Sequence, residues 1–261
     1  MMRDITFIKV SVLGLVFVIL VILLTRVEHF VPHTSLENIP VFYINLDSDK
    51  KNRMLAERTL NGIFPRVERS PGIRHAIGKE GCRLAHISAN TKGIETTKPG
   101  EYYIIFEDDV KINPNAGMRQ REVGEAILNC ARTNADMILL NVQNFPETAI
   151  LDHAPNNIQQ LSTSSKHPQF YRILGGTGSG GAYMVKHEFG KKLIKTWEKH
   201  PMEHIDWTWH EIWPNNMVLL HRPLLFLHRP GQSKTGDTNV RLATDQEIQD
   251  FDWKIAESYL L

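Results

Sequence analysis

The chain predicts an α/β domain built on a mainly parallel central sheet, and three observations carry that expectation. Strand-like apolar runs alternate with segments of helical spacing from residue 41 to residue 228, which is the pattern of parallel strands joined by helices. Two of the runs, VFYINL and YYIIF, end directly in acids, NLD and EDD. Ligands of such sheets bind beyond the carboxyl ends of the strands. Residues 40–261 are enough chain for one domain with a proper core.

Taken in order, Val41 to Leu46 reads as a buried strand, and Asp47 to Asp49 lead into a helix, KKNRMLAERTL. A weaker strand is expected at Phe64 to Val67. Gly78 to Ile94 reads as a helix because Cys82, Ala85, His86 and Ala89 fall on one face at i, i+3, i+4 and i+7. YYIIF is the next strand. A helix starting near Asn115 carries Val123, Ala126, Ile127, Cys130 and Ala131 on its apolar face. DMILLN is a strand, residues 143–170 read as loop, and AYMV is a strand. Phe189, Leu193, Ile194 and Trp197 mark a helix, and MVLLHRPLLFLH carries strand signal near the end.

The amino-terminal segment stands apart. Residues 5–24, ITFIKVSVLGLVFVILVILL, hold one charge, Lys9. As a helix they would be about 30 Å long, the thickness of a bilayer core. A cleaved signal peptide has a shorter apolar core and small residues at its cleavage site, whereas TRVEHF follows here. The expectation is a tail at 1–4, a transmembrane signal anchor at 5–24 and a stem at 25–39. Arg3, Lys9 and the amino terminus weakly favour a cytoplasmic amino terminus, with the catalytic domain lumenal, as in the ER or Golgi, or exterior.

Bulk composition narrows the field. The chain is 42% hydrophobic and 23% charged, with a formal net charge of +1 from 30 basic and 29 acidic residues. That is an ordinary globular composition without the basic footprint of nucleic-acid binding. Cys82 and Cys130 make no disulfide framework and are expected as two reduced, buried thiols rather than one bridge.

Four stretches carry chemistry. Glu107, Asp108 and Asp109 are adjacent acids; at ~4 Å and an effective dielectric of ~20 each like-charge contact costs about 4 kcal/mol. Alternation along extended backbone sends Glu107 and Asp109 to one side and Asp108 to the other. Two convergent carboxylates at a strand end suit Mg²⁺ or Mn²⁺; a solvated cap is the plain alternative. GGTGSGG at 175–181 contains G-x-G-x-x-G at Gly176, Gly178 and Gly181. A strand rather than a helix follows, which argues against a dinucleotide fingerprint; close backbone approach to a ligand, or a flexible turn, fits better. HIDWTWHEIW sets Asp206 among Trp207, Trp209 and Trp213. Indole faces stack on sugar rings and apolar walls raise a carboxylate's pKa, as suits a base; an amphipathic helix with core tryptophans is the alternative. In HRPLLFLHRPGQSKTG, His228 can complete a metal site begun by the acids; a core or surface histidine is the plain alternative. His221 reads as a core or surface histidine. Gln232, Ser233 and Lys234 are set to meet phosphate or acceptor. His86 reads by spacing as a packed, hydrogen-bonded histidine, and no zinc spacing of Cys and His is present.

INLDSDKKNRM, EGCRLAHISA, YIIFEDDV, GGTGSGGAYMV, HIDW and HRPGQSK occur in the order found in glycosyltransferase family 25, and the chain resembles that family over residues 40–235. The family contains lipooligosaccharide galactosyl- and glucosyltransferases, which serve lipopolysaccharide biosynthesis, and collagen hydroxylysine galactosyltransferases. The resemblance implies a single GT-A-like nucleotide-diphospho-sugar transferase domain, a UDP-sugar donor, Mn²⁺ or Mg²⁺, and inversion at the anomeric carbon. By position it implies Glu107, Asp109 and His228 at the metal and Asp206 as catalytic base. Asn45, Asp47, Arg53, His86, Asp108, Gly178, Gly180, Gly181, Tyr183, Gln232 and Ser233 would face the donor. The family often has Ser before its His, where this chain has Ala85, and residues 143–170 do not resemble it. The expected activity is therefore that of a membrane-anchored hexosyltransferase moving galactose or glucose to a hydroxyl of a glycan, lipid-linked or protein acceptor. The alternatives are a non-catalytic module binding a glycan or nucleotide sugar, and a metal-dependent phosphoesterase using the same acids.

Overall fold

The computed structural model describes residues 35–142, 150–153, 170–175, 178 and 180–229. The expected tail and anchor, the stem up to residue 34, Gly176, and the late segment with Gln232, Ser233 and Lys234 lie outside the described residues. Among the described residues no helix is long and apolar enough to cross a membrane.

Ten strands, β1 to β10, are described in chain order. Eight form one sheet in the order β2-β1-β3-β8-β5-β9-β7-β6. They are β1 (Val41–Asn45), β2 (Glu68–Pro71), β3 (Tyr102–Glu107), β5 (Met137–Leu139), β6 (Ile150–His153), β7 (Phe170–Gly175), β8 (Ala182–Lys186) and β9 (Val218–His221). The other two, β4 (Val110–Ile112) and β10 (Phe226–His228), pair antiparallel as a ribbon of their own. The helices are α1 (Lys50–Leu60), α2 (Gly78–Thr96), α3 (Gln120–Arg132), α4 (His187–Lys199) and the short α5 (Ile205–Thr208).

β3 lies deep in the sheet, and its residues 102–106 are fully buried because both faces are covered. Period-2 alternation divides them. Tyr102, Ile104 and Phe106 join Val41, Tyr43, Val123, Ile127 and Cys130 in one core. Tyr103 and Ile105 join Phe42, Ala89, Tyr183, Phe189, Leu193 and Trp197 in the other. α3 therefore covers the first face, while α2 and α4 cover the second. Among the residues that α2 buries, the small ones Ala85, Ala89 and Gly93 let it lie close to the sheet. The Tyr103 ring is inserted between Gly93 and Gly190 of α4, and a Cβ at either glycine would overlap it.

Local signals account for the helix ends. The Asp49 side chain accepts a hydrogen bond from the Asn52 amide at 3.0 Å and starts α1, as an N-cap acid does. Glu122 accepts from the Arg119 amide at 2.7 Å and opens α3.

The structure corrects several expectations. Six of the eight strands of the main sheet run one way, but β8 enters antiparallel between β3 and β5, and β7 is antiparallel to its neighbours. The sheet is thus mainly parallel in strand direction and mixed in its pairings. The second strand lies at Glu68–Pro71 rather than 64–67; Phe64 is core, its ring 5.8 Å from that of Phe106. The stretch read as loop at 143–170 contains β6. The helix expected from Asn115 begins at Gln120, after a 3₁₀ turn at Pro114–Ala116 closed by Gly117 at φ 64°. Cys82 and Cys130 are both free thiols as expected, though only Cys130 is fully buried.

A buried ion pair fastens α2 to the segment that leads to α5. Arg83 donates to Glu80 at 2.8 and 2.6 Å and to the Trp197 carbonyl at 3.0 Å, while Glu80 also accepts from the Met202 amide at 2.9 Å. The Arg83 guanidinium holds the Glu80 carboxyl down at about 2. A depressed carboxyl contributes stability above its unfolded value and loses it as pH falls through the folded one. Glu80→Gln should therefore be less stable than the parent by about 3 kcal/mol near neutrality, as when one partner of a buried pair is removed. In urea melts the difference should be complete above pH about 4.5 and shrink toward zero near pH about 2. A pH-independent difference would refute this.

Candidate functional site

The site forms where β3 ends. Glu107 continues the alternation of Tyr103 and Ile105 and so faces α2, where His86 Nε2 meets its Oε1 at 3.2 Å. Asp108 takes the opposite side and accepts from Asn45 Nδ2 at 2.6 Å. The chain then turns into β4, and antiparallel pairing sets His228 of β10 opposite Val110. That register, one residue beyond Asp109, brings His228 Nδ1 to 2.9 Å from Asp109 Oδ1. Glu107, Asp109 and His228 each offer a ligand atom, and these atoms lie within 4.8 Å of one another. Burial disfavours a charge on His228, but Asp109 and then Glu107 outweigh it, and its pKa is raised.

Two carboxylates and an imidazole make a donor set that suits Mn²⁺ better than Mg²⁺, whose ligands are oxygens. The space is also shaped for the imidazole: a Cβ on Gly181 would overlap the His228 ring, so only glycine fits there. A second cluster, Cys82, His86 and Glu107, also gathers within 4.8 Å. Sequence spacing missed it because its third member comes from β3. Burial, with the charges of Glu107 and Asp206, pushes the Cys82 thiol well above its ordinary range, so it stands there as a thiol.

Gly178, Gly180 and Gly181 run along this cluster just before β8, and the Glu107 amide donates to the Gly181 carbonyl at 2.8 Å. A Cβ at Gly180 would meet Ile205 Cδ1 at 2.7 Å and His86 Cε1 at 3.3 Å; one at Gly178 would meet Asp206 Oδ2 at 3.1 Å. The glycines thus let backbone pass among His86, Asp206 and His228. Asp206, on α5, has its pKa raised, chiefly by burial, with Glu107 adding to the effect and His204 and His210 opposing it. The expectation of three tryptophans around it is corrected. Trp209 and Trp213 are fully buried core residues, rings 5.3 Å apart, whereas Trp207 is 66% exposed and packs on His204 at 5.3 Å. His221 is likewise core, its pKa pushed down to about 4 by burial.

The carboxyl end of β1 adjoins the acids. Asn45 holds Asp108 and also donates to the Asp49 carbonyl at 3.0 Å. Asp47 pairs with Arg69. Arg53, expected by the donor, pairs with Glu57 at 3.0 Å on the exposed side of α1. Two arginines that sequence reading passed over bond the two strand ends. Arg69 donates to the Asn45 carbonyl at 3.1 Å, and Arg229 donates to the Asp108 carbonyl at 3.0 Å, while its amide donates to the Asp109 carbonyl at 2.6 Å. Arg229 follows directly after His228, which was the available signal. Beside this strand end opens a cleft of about 330 Å³ lined by Leu46, Ser48, Asp49, Ile73, Arg74, His75 and Gly78.

No protein-family profile matches the chain, and no curated protein matches it. Among solved structures it is similar to a glycosyltransferase involved in glycosylation of the major capsid of PBCV-1, at 11% identity and a TM-score of 0.48, covering 81% of this chain and 98% of that one. It is also similar to a nucleoside-diphosphate-sugar pyrophosphorylase from Vibrio cholerae, at 11% identity and 0.36, covering 74% and 82%. A third is 4-diphosphocytidyl-2C-methyl-D-erythritol synthase from Anaerococcus prevotii, at 10% identity and 0.33, covering 86% and 99%. At these values the chemistry is to be read from the site's own residues.

Because the Gly181 position has no room for a methyl group, Gly181→Ala should push the His228 ring from Asp109. Displacing a metal-site imidazole should weaken Mn²⁺ binding by about ten- to a hundred-fold, measured by titration calorimetry. Wild-type Mn²⁺ affinity in that variant would show that His228 has no part in a metal site.

Proposed function

We propose that the protein is a metal-dependent, inverting glycosyltransferase that moves a hexose from a UDP-sugar to a hydroxyl acceptor. The observation that carries this reading is the convergence of Glu107, Asp109 and His228 at the end of β3, with a desolvated carboxylate, Asp206, beside the same glycine run. A phosphoesterase would need the acids but gives no role to Asp206 or to the exposed indole next to it. The choice of hexose, galactose or glucose, and of UDP follows from the motif resemblance. The apolar run at 5–24 supports a membrane anchor, with the catalytic domain on the face opposite the amino terminus.

A divalent cation held by Glu107, Asp109 and His228 would supply neutralisation of the charge that develops on the departing diphosphate. The remaining tasks fall to the chain itself. Arg229 and Arg69 hold the backbone of the two strand ends still, and Arg229 adds positive charge beside Asp108 and Asp109. The cleft at the end of β1, with Arg74 and His75 in its wall, is the place for the nucleoside end of the donor. Gly178 and Gly180 bring bare backbone close to Asp206 and His86, an edge for the donor sugar to border. Asp206 takes the proton from the acceptor hydroxyl as that oxygen attacks the anomeric carbon from the side opposite UDP. Burial raises its pKa, which makes it a stronger base than an exposed aspartate. Trp207, exposed one residue along α5, offers a flat apolar face on the acceptor side.

Three variants separate these roles. Asp109→Asn should abolish Mn²⁺-dependent UDP release from a UDP-sugar while the melting temperature is retained. Asp206→Asn should bind the donor normally and lose about 10²- to 10⁴-fold in transfer rate. Trp207→Ala should raise KM for the acceptor with kcat little changed, the mark of lost ground-state binding. Undiminished turnover in Asp109→Asn would exclude the metal role. Phosphate release without any acceptor would favour the phosphoesterase.

A further inference from the structure

A chain of hydrogen bonds runs through the core on the α2 face and ends on Glu107. Tyr103 Oη lies 2.9 Å from Asn90 Oδ1; Asn90 Nδ2 lies 2.8 Å from the His86 carbonyl and 2.9 Å from Tyr183 Oη. Tyr183 Oη lies 2.9 Å from His86 Nδ1, and His86 Nε2 lies 3.2 Å from Glu107 Oε1. Tyr103, Asn90, Tyr183 and His86 are all buried.

We infer that this chain fixes the His86 proton on Nε2 and makes His86 a positioning residue that aims the Glu107 carboxylate. The direction of each bond follows from what each atom can do. A carbonyl only accepts, so the Asn90 atom facing the His86 carbonyl is the amide nitrogen, not the oxygen. Asn90 then spends one N–H on that carbonyl and the other on Tyr183, and its oxygen accepts from Tyr103. Burial raises the Tyr183 phenol well above its ordinary value, so it keeps its hydrogen. Its oxygen already accepts from Asn90, and the only described acceptor for its O–H is His86 Nδ1. The imidazole therefore has its lone pair on Nδ1 and its hydrogen on Nε2, directed at Glu107. A proton on Nδ1 would leave the buried Tyr183 hydrogen without an acceptor, which burial penalises. One Glu107 oxygen is thus occupied by His86, and the carboxylate is held in one orientation toward Asp109 and His228. The ring itself is held by near-parallel stacking on Tyr183, with centroids 5.9 Å apart, and edge contact with Trp197 at 6.1 Å.

The proton order stands on geometry and on a Tyr183 phenol that keeps its hydrogen; its consequence for turnover rests on the glycosyltransferase reading. The test is nitrogen NMR of the full-length, metal-free protein labelled with ¹⁵N at histidine, with the His86 signals assigned by their loss in His86→Gln. The expected spectrum shows an unprotonated Nδ1 and a protonated Nε2; a protonated Nδ1 would overturn the inference. Tyr183→Phe, which removes one oxygen, should release this preference and weaken Mn²⁺ binding by about ten- to a hundred-fold. His86→Gln presents an acceptor and a donor in the same order and should lose less Mn²⁺ affinity than His86→Leu, which should fall by about ten- to a hundred-fold. Equal losses for Gln and Leu would remove the positioning role. A wild type with the expected tautomer but no UDP-sugar turnover would sink the glycosyltransferase reading and leave the proton order intact.

Discussion

The constraint on which this structure turns is the mutual repulsion of Glu107, Asp108 and Asp109 at the end of a strand buried on both faces. Each acid has its own partner, and each partner comes from a different part of the chain. Asp108 is taken by Asn45 of the neighbouring parallel strand. Glu107 is met by His86 of α2. Asp109 is met by His228, more than a hundred residues later, through the β4–β10 ribbon. Glu107 and Asp109 still lie close enough to share an ion with His228. The fold thus holds two carboxylates near one another, which is unfavourable without a cation and becomes favourable with one.

The antiparallel entry of β8 follows from the same need. A parallel strand beside β3 would bring its carboxyl end to Glu107. Entering the other way, β8 brings its amino end and the glycines that precede it. Backbone without side chains can then lie among His86, Asp206 and His228, where a methyl group has no room. Antiparallel pairing and the glycine run are two parts of one solution: polar groups from α2, α5 and β10 converge around bare backbone at the end of β3.

The second face of the sheet serves the site indirectly. Tyr103, Tyr183 and Trp197 are core residues by burial, yet their polar atoms are spent in an ordered way. Tyr103 and Tyr183 point theirs into the path to His86, and the Trp197 indole donates to the Ile205 carbonyl at 3.2 Å, at the start of α5. The Glu80–Arg83 pair secures the residues just before α5. Asp206 is therefore carried on a one-turn helix whose approach is fastened to both α2 and α4.

Much of this was legible in the residues themselves, and the limits have physical reasons. The α/β alternation, the strand ends and the opposed directions of Glu107 and Asp108 follow from local periodicity, which needs no knowledge of neighbours. The acids, the glycines, Asp206 and His228 stood out because their types are costly or unusual where they occur. β7 was not read as a strand at all, and strand direction was not legible for β8, since an apolar run reads the same whichever way it enters a sheet. Nor could local sequence tell Trp207 from Trp209 and Trp213, because an indole in the core and one on the surface have the same neighbours along the chain. Arg69, Arg229 and the Tyr103–Asn90–Tyr183–His86 chain escaped for a related reason: hydrogen-bond partners are chosen by through-space distance, with separations that reach 121 residues. By itself the sequence determined the α/β alternation, the strands that end at Asn45 and Glu107, and the residue types gathered after them. Only the tertiary structure decided which of those side chains meet, because contact is set by sheet order and register, and these are properties of the whole packed chain.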